Sequence, residues 1–280
     1  MKASLTLFER SLQLVRYPEH LQHPSWQAWD AADEYIIEYL HERPELAKSQ
    51  GVRIYNDDFG ALTCWFATQK PTWISDSYVA LRSCQDNLAL NNLDSKQVTF
   101  CSSMDKITSP TALVLLKIPK TTALLEQQLI DLQDSVGPQT LIIAAAKANA
   151  IEKYLGVTTT SLAKKKARLI FCQPTGKLNH KSPYPTHWFS ESPKFELSNH
   201  ANVFARQQLD IGARFMLQHL PKSNGKTLID LGCGNGVLGL SILYKYPESK
   251  VIFVDESYMA LASAEENVQR NLPEALPRCE

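Results

Sequence analysis

The stretch LIDLGCGNGVLGL, Leu228 to Leu240, constrains this chain more than any other. An apolar run ends in alternating glycines, then resumes with helical spacing, so it reads as a buried strand, a tight turn and a helix. Gly232, Gly234 and Gly236 lack a Cβ, which permits tight turn geometry and lets the backbone approach a ligand closely. The first amides of the helix have no partner inside it and favour a carboxylate or phosphate. Asp255 ends the next strand, KVIFVD, where a carboxylate can accept two hydrogen bonds from a ribose diol. The unit needs a parallel sheet covered by helices, which makes the chain an α/β protein.

Two cofactor classes use this arrangement. GNGVLG (Gly234, Gly236, Gly239) satisfies the dinucleotide pattern, a weak signal alone. Asp230, in the strand two positions before Gly232, discriminates between them. A pyrophosphate at this turn would be repelled by that carboxylate, whereas S-adenosylmethionine brings an ammonium group that it can pair with. The order of acid and glycines therefore favours the methyl donor over a nicotinamide cofactor. Taken alone, Asp230 also fits a solvated strand end or a helix cap.

Basic and acidic residues balance at 29 each, so the chain as a whole does not steer toward nucleic acid. No run of 18 apolar residues appears, and the N-terminus lacks the apolar core of a signal peptide. The six cysteines show neither CxxC nor His-Cys spacing, so reduced, mostly buried thiols in a cytoplasmic protein without a metal are expected.

The chain says much of this twice. SLTLFERSLQLVRYP suggests an edge hairpin, and WQAWDAADEYIIEYL a helix whose apolar stripe includes Trp26, Trp29, Ile36, Ile37 and Leu40, with its acids largely on the other face. GVRIYND, ALTCWFATQ, TWISDS, YVALRSCQDNLALNN and QVTFCSS follow in a βα rhythm. ALVLLKIPK and TLIIAAAK read as parallel strands flanking a crossover helix, TTALLEQQLIDLQDSV. With Gly60 beside Gly236, Ile54 lies beside Asp230, Asn56 beside Gly232 and Asp58 beside Gly234. After a four-residue adjustment, Ser77, Tyr78 and Asn87 match Ser257, Tyr258 and Asn267, and Ser75 replaces Asp255. The shared polar residues favour duplication, and the lost glycines make the first copy a folded, non-binding one. Neighbouring Asp76 could serve in place of the lost acid. The Pro-rich stretch after Cys172 divides the chain into a first domain over 1–175, a linker over 176–187 and a second domain over 188–280.

The blocks RYP, WQAWDAADEY, NDDFGAL, SDSY, KTTALLEQQL, TTTSLAKKKARLI, NHANVFARQQLDIGARFMLQHLP and DLGCGNGVLGL with IFVDES resemble the bacterial 23S rRNA guanine-N2 methyltransferases of the G type. The resemblance implies tandem Rossmann-like class I methyltransferase domains, the first degenerate and helping to recognise RNA, the second binding S-adenosylmethionine and methylating a guanine amine. It makes Gly232, Gly234 and Gly236 the cofactor glycines, Asp230 the acid beside the methionine moiety and Asp255 the ribose ligand. Phe204, Asp210 and Gly212 would lie over the donor or shape the target pocket. Ordinary roles are open for them too: core packing, a helix cap and a close helix contact. The family's amine-gripping Asn-Pro-Pro-Phe segment has no match in the second half, and the first half holds KIPK, Lys117 to Lys120, instead. No catalytic residue is assigned, the second domain is expected to be incomplete, and residues 1–280 alone are expected to be poorly ordered there and inactive.

A basic segment before the linker, with Lys164, Lys165, Lys166 and Arg168 at its densest, is expected to meet RNA phosphate, as are Lys117 and Lys120. A solvated face is the plainer alternative. The expected partner is 23S rRNA, bound by a monomer. Rival readings are a non-catalytic RNA-binding protein on the same fold, or methyl transfer to a protein glutamine.

Overall fold

The computed structural model describes residues 3–21, 23, 25–47, 51–145, 148–165, 167–174 and 179–280; Lys166 and part of the expected linker lie outside them. Contacts divide the chain into two units, Met1–Lys181 and Ser182–Glu280.

The first unit opens with an antiparallel hairpin, β1 (Ala3–Leu7) and β2 (Arg10–Leu14). Helix α1 (Ala31–His41) follows. Asp30 accepts bonds from the Ala32 and Asp33 amides, and Asp33 accepts from the Asp30 amide, a reciprocal cap that sets where the helix begins. Trp26 and Trp29 therefore precede the helix instead of extending its apolar stripe. A short helix α2 (Pro44–Ala47) leads to β3 (Val52–Tyr55), α3 (Ala61–Trp65), β4 (Thr72–Ser75), α4 (Tyr78–Leu90), β5 (Thr99–Ser102) and β6 (Leu113–Lys117). Then come α5 (Thr122–Leu132), β7 (Leu141–Ala145), α6 (Ala148–Leu155), β8 (Thr158–Thr160) and β9 (Ile170–Cys172).

The seven strands order as β5-β4-β3-β6-β7-β9-β8, parallel from β5 to β7, with β9 antiparallel to both β7 and β8. This is a doubly wound sheet with its first strand near the middle. Alternation along β6 shows why a continuous apolar run is needed. Leu113 and Leu115 join the core made with the hairpin, α1, α3 and α4, while Val114 and Leu116 join the core under α5 and α6.

The second unit repeats the opening. An antiparallel hairpin, β10 (Thr186–Phe189) and β11 (Glu196–Asn199), precedes α7 (Ile211–Gln218), β12 (Thr227–Leu231), α8 (Val237–Lys245), β13 (Lys250–Val254) and α9 (Tyr258–Asn271). Strand β10 begins inside the stretch read as linker, because a Pro-rich sequence carries little periodicity even where it leads into an edge strand. β12 pairs in parallel with β13, and the backbone of Glu280 bonds to Val251 and Phe253 on the far side of β13. Whereas β3 is flanked by β4 and β6, among the described residues β12 has β13 alone, and its Ile229 and Leu231 are 65% and 81% exposed.

The two hairpins are held identically. Asn87 accepts from the Val15 amide and donates to the Val15 and Phe59 carbonyls; Asn267 does the same with Ser198 and Asn235. One helical turn later, Asn91 exchanges two bonds with Gln13, and Asn271 two with Glu196. Duplication thus extends to the backbone bonds. No described helix is long and apolar enough to cross a membrane.

Candidate functional site

Strand β12 ends in a turn that only glycine accommodates easily: Gly232, Gly234 and Gly236 have φ of 73°, 56° and 77°. The Gly232 and Cys233 amides donate to the Val254 carbonyl, which joins this turn to the end of β13. Asp255 accepts from the Gly234 amide through one oxygen and from the Ser257 amide through the other, both at 3.0 Å. Its carboxylate is therefore positioned by the turn it faces, and each oxygen keeps a lone pair for a ligand.

The turn forms one wall of a cleft of about 460 Å³, within the roughly 300–1,000 Å³ typical of small-molecule sites. Gly232, Gly234, Asn235 and Asp255 line it on one side, Phe204, Asp210 and Gly212 on the other. A Cβ added at Gly232 or Gly234 would meet no atom within 4 Å, so both glycines leave open space at the cleft. S-adenosylmethionine fits this site: open space beside the turn for its methionine end and an oriented carboxylate for its ribose.

Gly236 departs from its expected place. It does not line the cleft; a Cβ there would lie 2.8 Å from Ala264 Cβ, so it lets α8 pack against α9. Gly239 is a packing glycine as well, with Phe253 filling the space a Cβ would take. Asp230 also sits behind the wall. It is buried and accepts the Gly239 amide at 2.9 Å, so it holds the first turn of α8. Burial, with Asp255 adding to it, pushes its carboxyl up to about 6 against the pull of that amide. Asp210 caps α7 by accepting from the Gly212 and Ala213 amides, and it also lines the cleft. Phe204 is exposed at the rim and is not a core residue.

Asn235 and Asn199 escaped the sequence reading, and Asn267 entered it only as the match of Asn87. Asn235 donates to the Asn199 side chain, and Asn267 donates to the Asn235 carbonyl. The shared Asn87/Asn267 match was the one available signal. Trp188, in the cleft wall, gave none.

The first unit's matching turn is filled. Asn56 keeps the left-handed backbone, φ 58°, but its side chain exchanges two bonds with Gln128 and donates to the Lys117 carbonyl. Asp57 accepts the Thr63 amide, replacing the service Asp230 gives Gly239. Asp76 is buried and accepts a hydrogen bond from the Ser103 hydroxyl.

Lys117 is corrected most sharply. Its side chain is 13% exposed and pairs with the fully buried Asp33 at 2.7 Å and with Asp30 at 3.3 Å. Burial alone would push its ammonium down, but Asp33, Asp30 and Asp57 carry it well above its ordinary value. It is a structural cation and is not available to phosphate. Lys164 and Lys165 are half exposed yet pair with Glu38 and Glu34 on α1 at 2.6 and 2.5 Å. Lys120 and Arg168 are exposed.

The sequence matches the RLMG N-terminal domain over residues 2–176 and the methyltransferase small domain over 194–278. It is 56% identical to the ribosomal RNA large subunit methyltransferase G of Pseudoalteromonas atlantica, across 100% of this chain and 75% of that protein. Against the same-named protein of Aeromonas salmonicida it is 51% identical, across 95% of this chain and 73% of the other. Among solved structures, a T. thermophilus 16S rRNA N2 G1207 methyltransferase in complex with AdoMet and guanosine superposes with a TM-score of 0.67. It covers 97% of this chain and 72% of its own at 15% identity, a likeness of fold. The duplicated α/β architecture, the glycine-walled cleft in the second half and the identity across nearly all of this chain together place it in the ribosomal RNA large subunit methyltransferase G family.

Proposed function

We propose that this protein transfers a methyl group from S-adenosylmethionine to the exocyclic amine, N2, of a guanine in 23S rRNA. The observation that carries it is the cleft in which Gly232 and Gly234 leave open backbone and Asp255 is aimed by the turn itself. The relatives' name supplies the RNA, and the fold neighbour, captured with AdoMet and guanosine, supplies the chemistry of acceptor and donor.

The bound sulfonium would supply an electrophilic methyl group. The chain's part is to hold and align. Asp255 would accept from the ribose hydroxyls, and the open side of the Gly232–Gly234 turn would take the methionine end. Asp230, ionised above its pKa, adds negative charge behind the turn for an ammonium group. Phe204 and Asp210 form the facing rim, where the acceptor base must enter. The guanine amine is a poor nucleophile, since its lone pair is delocalised into the ring, so alignment and hydrogen bonding carry the rate.

The first unit, its turn plugged by Asn56, serves RNA recognition instead. Lys120 and Arg168 are its exposed cations for phosphate, and Lys164 and Lys165 can exchange Glu38 and Glu34 for phosphate oxygens. The protein acts as a cytoplasmic monomer. Nucleoside analysis of 23S rRNA tests the reading: deleting the gene should remove one N2-methylguanosine. The full gene should restore it, and a Gly234→Arg version should not. Unchanged N2-methylguanosine in the deletion strain would refute it.

A further inference from the structure

Beside the cofactor cleft, the second unit has another of about 620 Å³. Trp188, Gln208 and Leu209 belong to both linings, so the two clefts adjoin across these residues. The second cleft adds Phe189 and Glu191 from the hairpin and Arg214 from α7. Phe189 is an aromatic face 60% exposed to solvent, with the Lys194 ammonium 5.6 Å from its ring centre. Within the shared wall, the Trp188 indole N–H is buried and meets no acceptor among the described residues. An exposed ring, two cations and amide side chains around a groove are the ordinary equipment for single-stranded RNA.

We infer that this second cleft holds the nucleotide next to the methylated guanine. The inference rests on the proposed function, because it needs the acceptor to be a base within a strand. A strand presenting one base to the cofactor cleft carries its next base beside that cleft, and the adjoining cleft lies there. Phe189 stacks on that neighbouring base and Arg214 meets its phosphate. Glu191 would repel a phosphate, so it faces the base edge, where its carboxylate accepts from an exocyclic amine. The neighbour is therefore a base bearing an amine, cytosine before uracil.

The test is anisotropy titration of the protein, saturated with S-adenosylhomocysteine, with a labelled single-stranded pentaribonucleotide holding one guanosine flanked by cytidines. Phe189→Ala and Arg214→Ala should each weaken binding about tenfold, equivalent to about 1.4 kcal/mol, and leave calorimetric S-adenosylmethionine affinity unchanged. Uridine flanks should lower wild-type affinity severalfold, and Glu191→Gln should erase that difference. A 5-iodocytidine beside the guanosine should crosslink to Phe189 or Trp188. If the wild-type chain binds both ligands but the variants bind RNA equally well, or the crosslink maps elsewhere, this inference fails and the proposed function stands. If the wild-type chain does not bind S-adenosylmethionine, the proposed function fails, and the neighbouring site with it. Failure of the pentamer to bind the wild-type chain at all would overturn the neighbouring site.

Discussion

The two glycine turns, at Asn56–Gly60 and Gly232–Gly236, separate what a glycine does for a fold from what it does for a ligand. Gly60 and Gly236 survive in both, and each fills the same need. A Cβ on Gly60 would lie 2.6 Å from Cys84 Sγ and 2.8 Å from its Cα, and one on Gly236 2.8 Å from Ala264, the matched residue of the next helix. Gly232 and Gly234, which face open space, have become Asn56 and Asp58. A turn relieved of its ligand kept the glycine demanded by packing and lost the two that packing does not need. Asn56 takes up the room, bonded to Gln128 and to the carbonyl of Lys117, a lysine whose side chain is buried against Asp33.

Removing that lysine should have the largest effect. Lys117→Met leaves Asp33 buried with its main counter-charge gone, so urea unfolding of the first unit should show a loss of about 3–5 kcal/mol. Cofactor affinity should not move; an equal loss of cofactor binding would break the division of labour between the halves.

Matched substitutions come next. Gly60→Ala and Gly236→Ala each combine a left-handed backbone with a blocked Cβ and should destabilise their own unit by roughly 2–4 kcal/mol. Gly234→Ala meets no atom and should cost only about 1 kcal/mol of stability from its backbone. It should nevertheless weaken S-adenosylmethionine binding at least tenfold by calorimetry. Equal stability losses at Gly234 and Gly236 would erase the distinction between packing and ligand glycines.

The subtlest test is pH. Burial raises Asp230 to about 6, so this group favours the folded state at low pH and that contribution is lost as pH rises from its ordinary value near 3.8 through 6. Binding a cation runs the other way, since it needs the carboxylate. S-adenosylmethionine affinity should therefore fall roughly tenfold between pH 7 and pH 5. Asp230→Asn should bind weakly and show no such slope. A slope that persists in the variant would move the titrating group elsewhere.

The sequence carried the strand-turn-helix, the acid ending β13 and the duplication, because each depends on local spacing or on residues that repeat. It could not distinguish Gly236 from Gly234, since what a Cβ would strike belongs to α9 and is distant in sequence. Lys117 shows the same limit. KIPK resembles a basic loop, and only the fold brings Asp33, from a capped helix far earlier in the chain, against it. Lys164 and Lys165 stood out as a charge cluster because the acids that pair with them lie on α1. The recurring hairpin was hidden by prolines, while its Asn latch was visible as a matched residue of unknown purpose.

That latch bears on how fast the cleft can fill. Asn267 is fully buried and grips the Asn235 carbonyl from behind, while Asn235 is tied to Asn199. The turn is thus already fastened before anything arrives, and no closing step should follow collision. Stopped-flow traces should then give an observed rate that climbs linearly with S-adenosylmethionine concentration, whereas a turn that must first rearrange would level off at its own opening rate. Asn267→Ala, by freeing the turn, should turn the straight line into a curve.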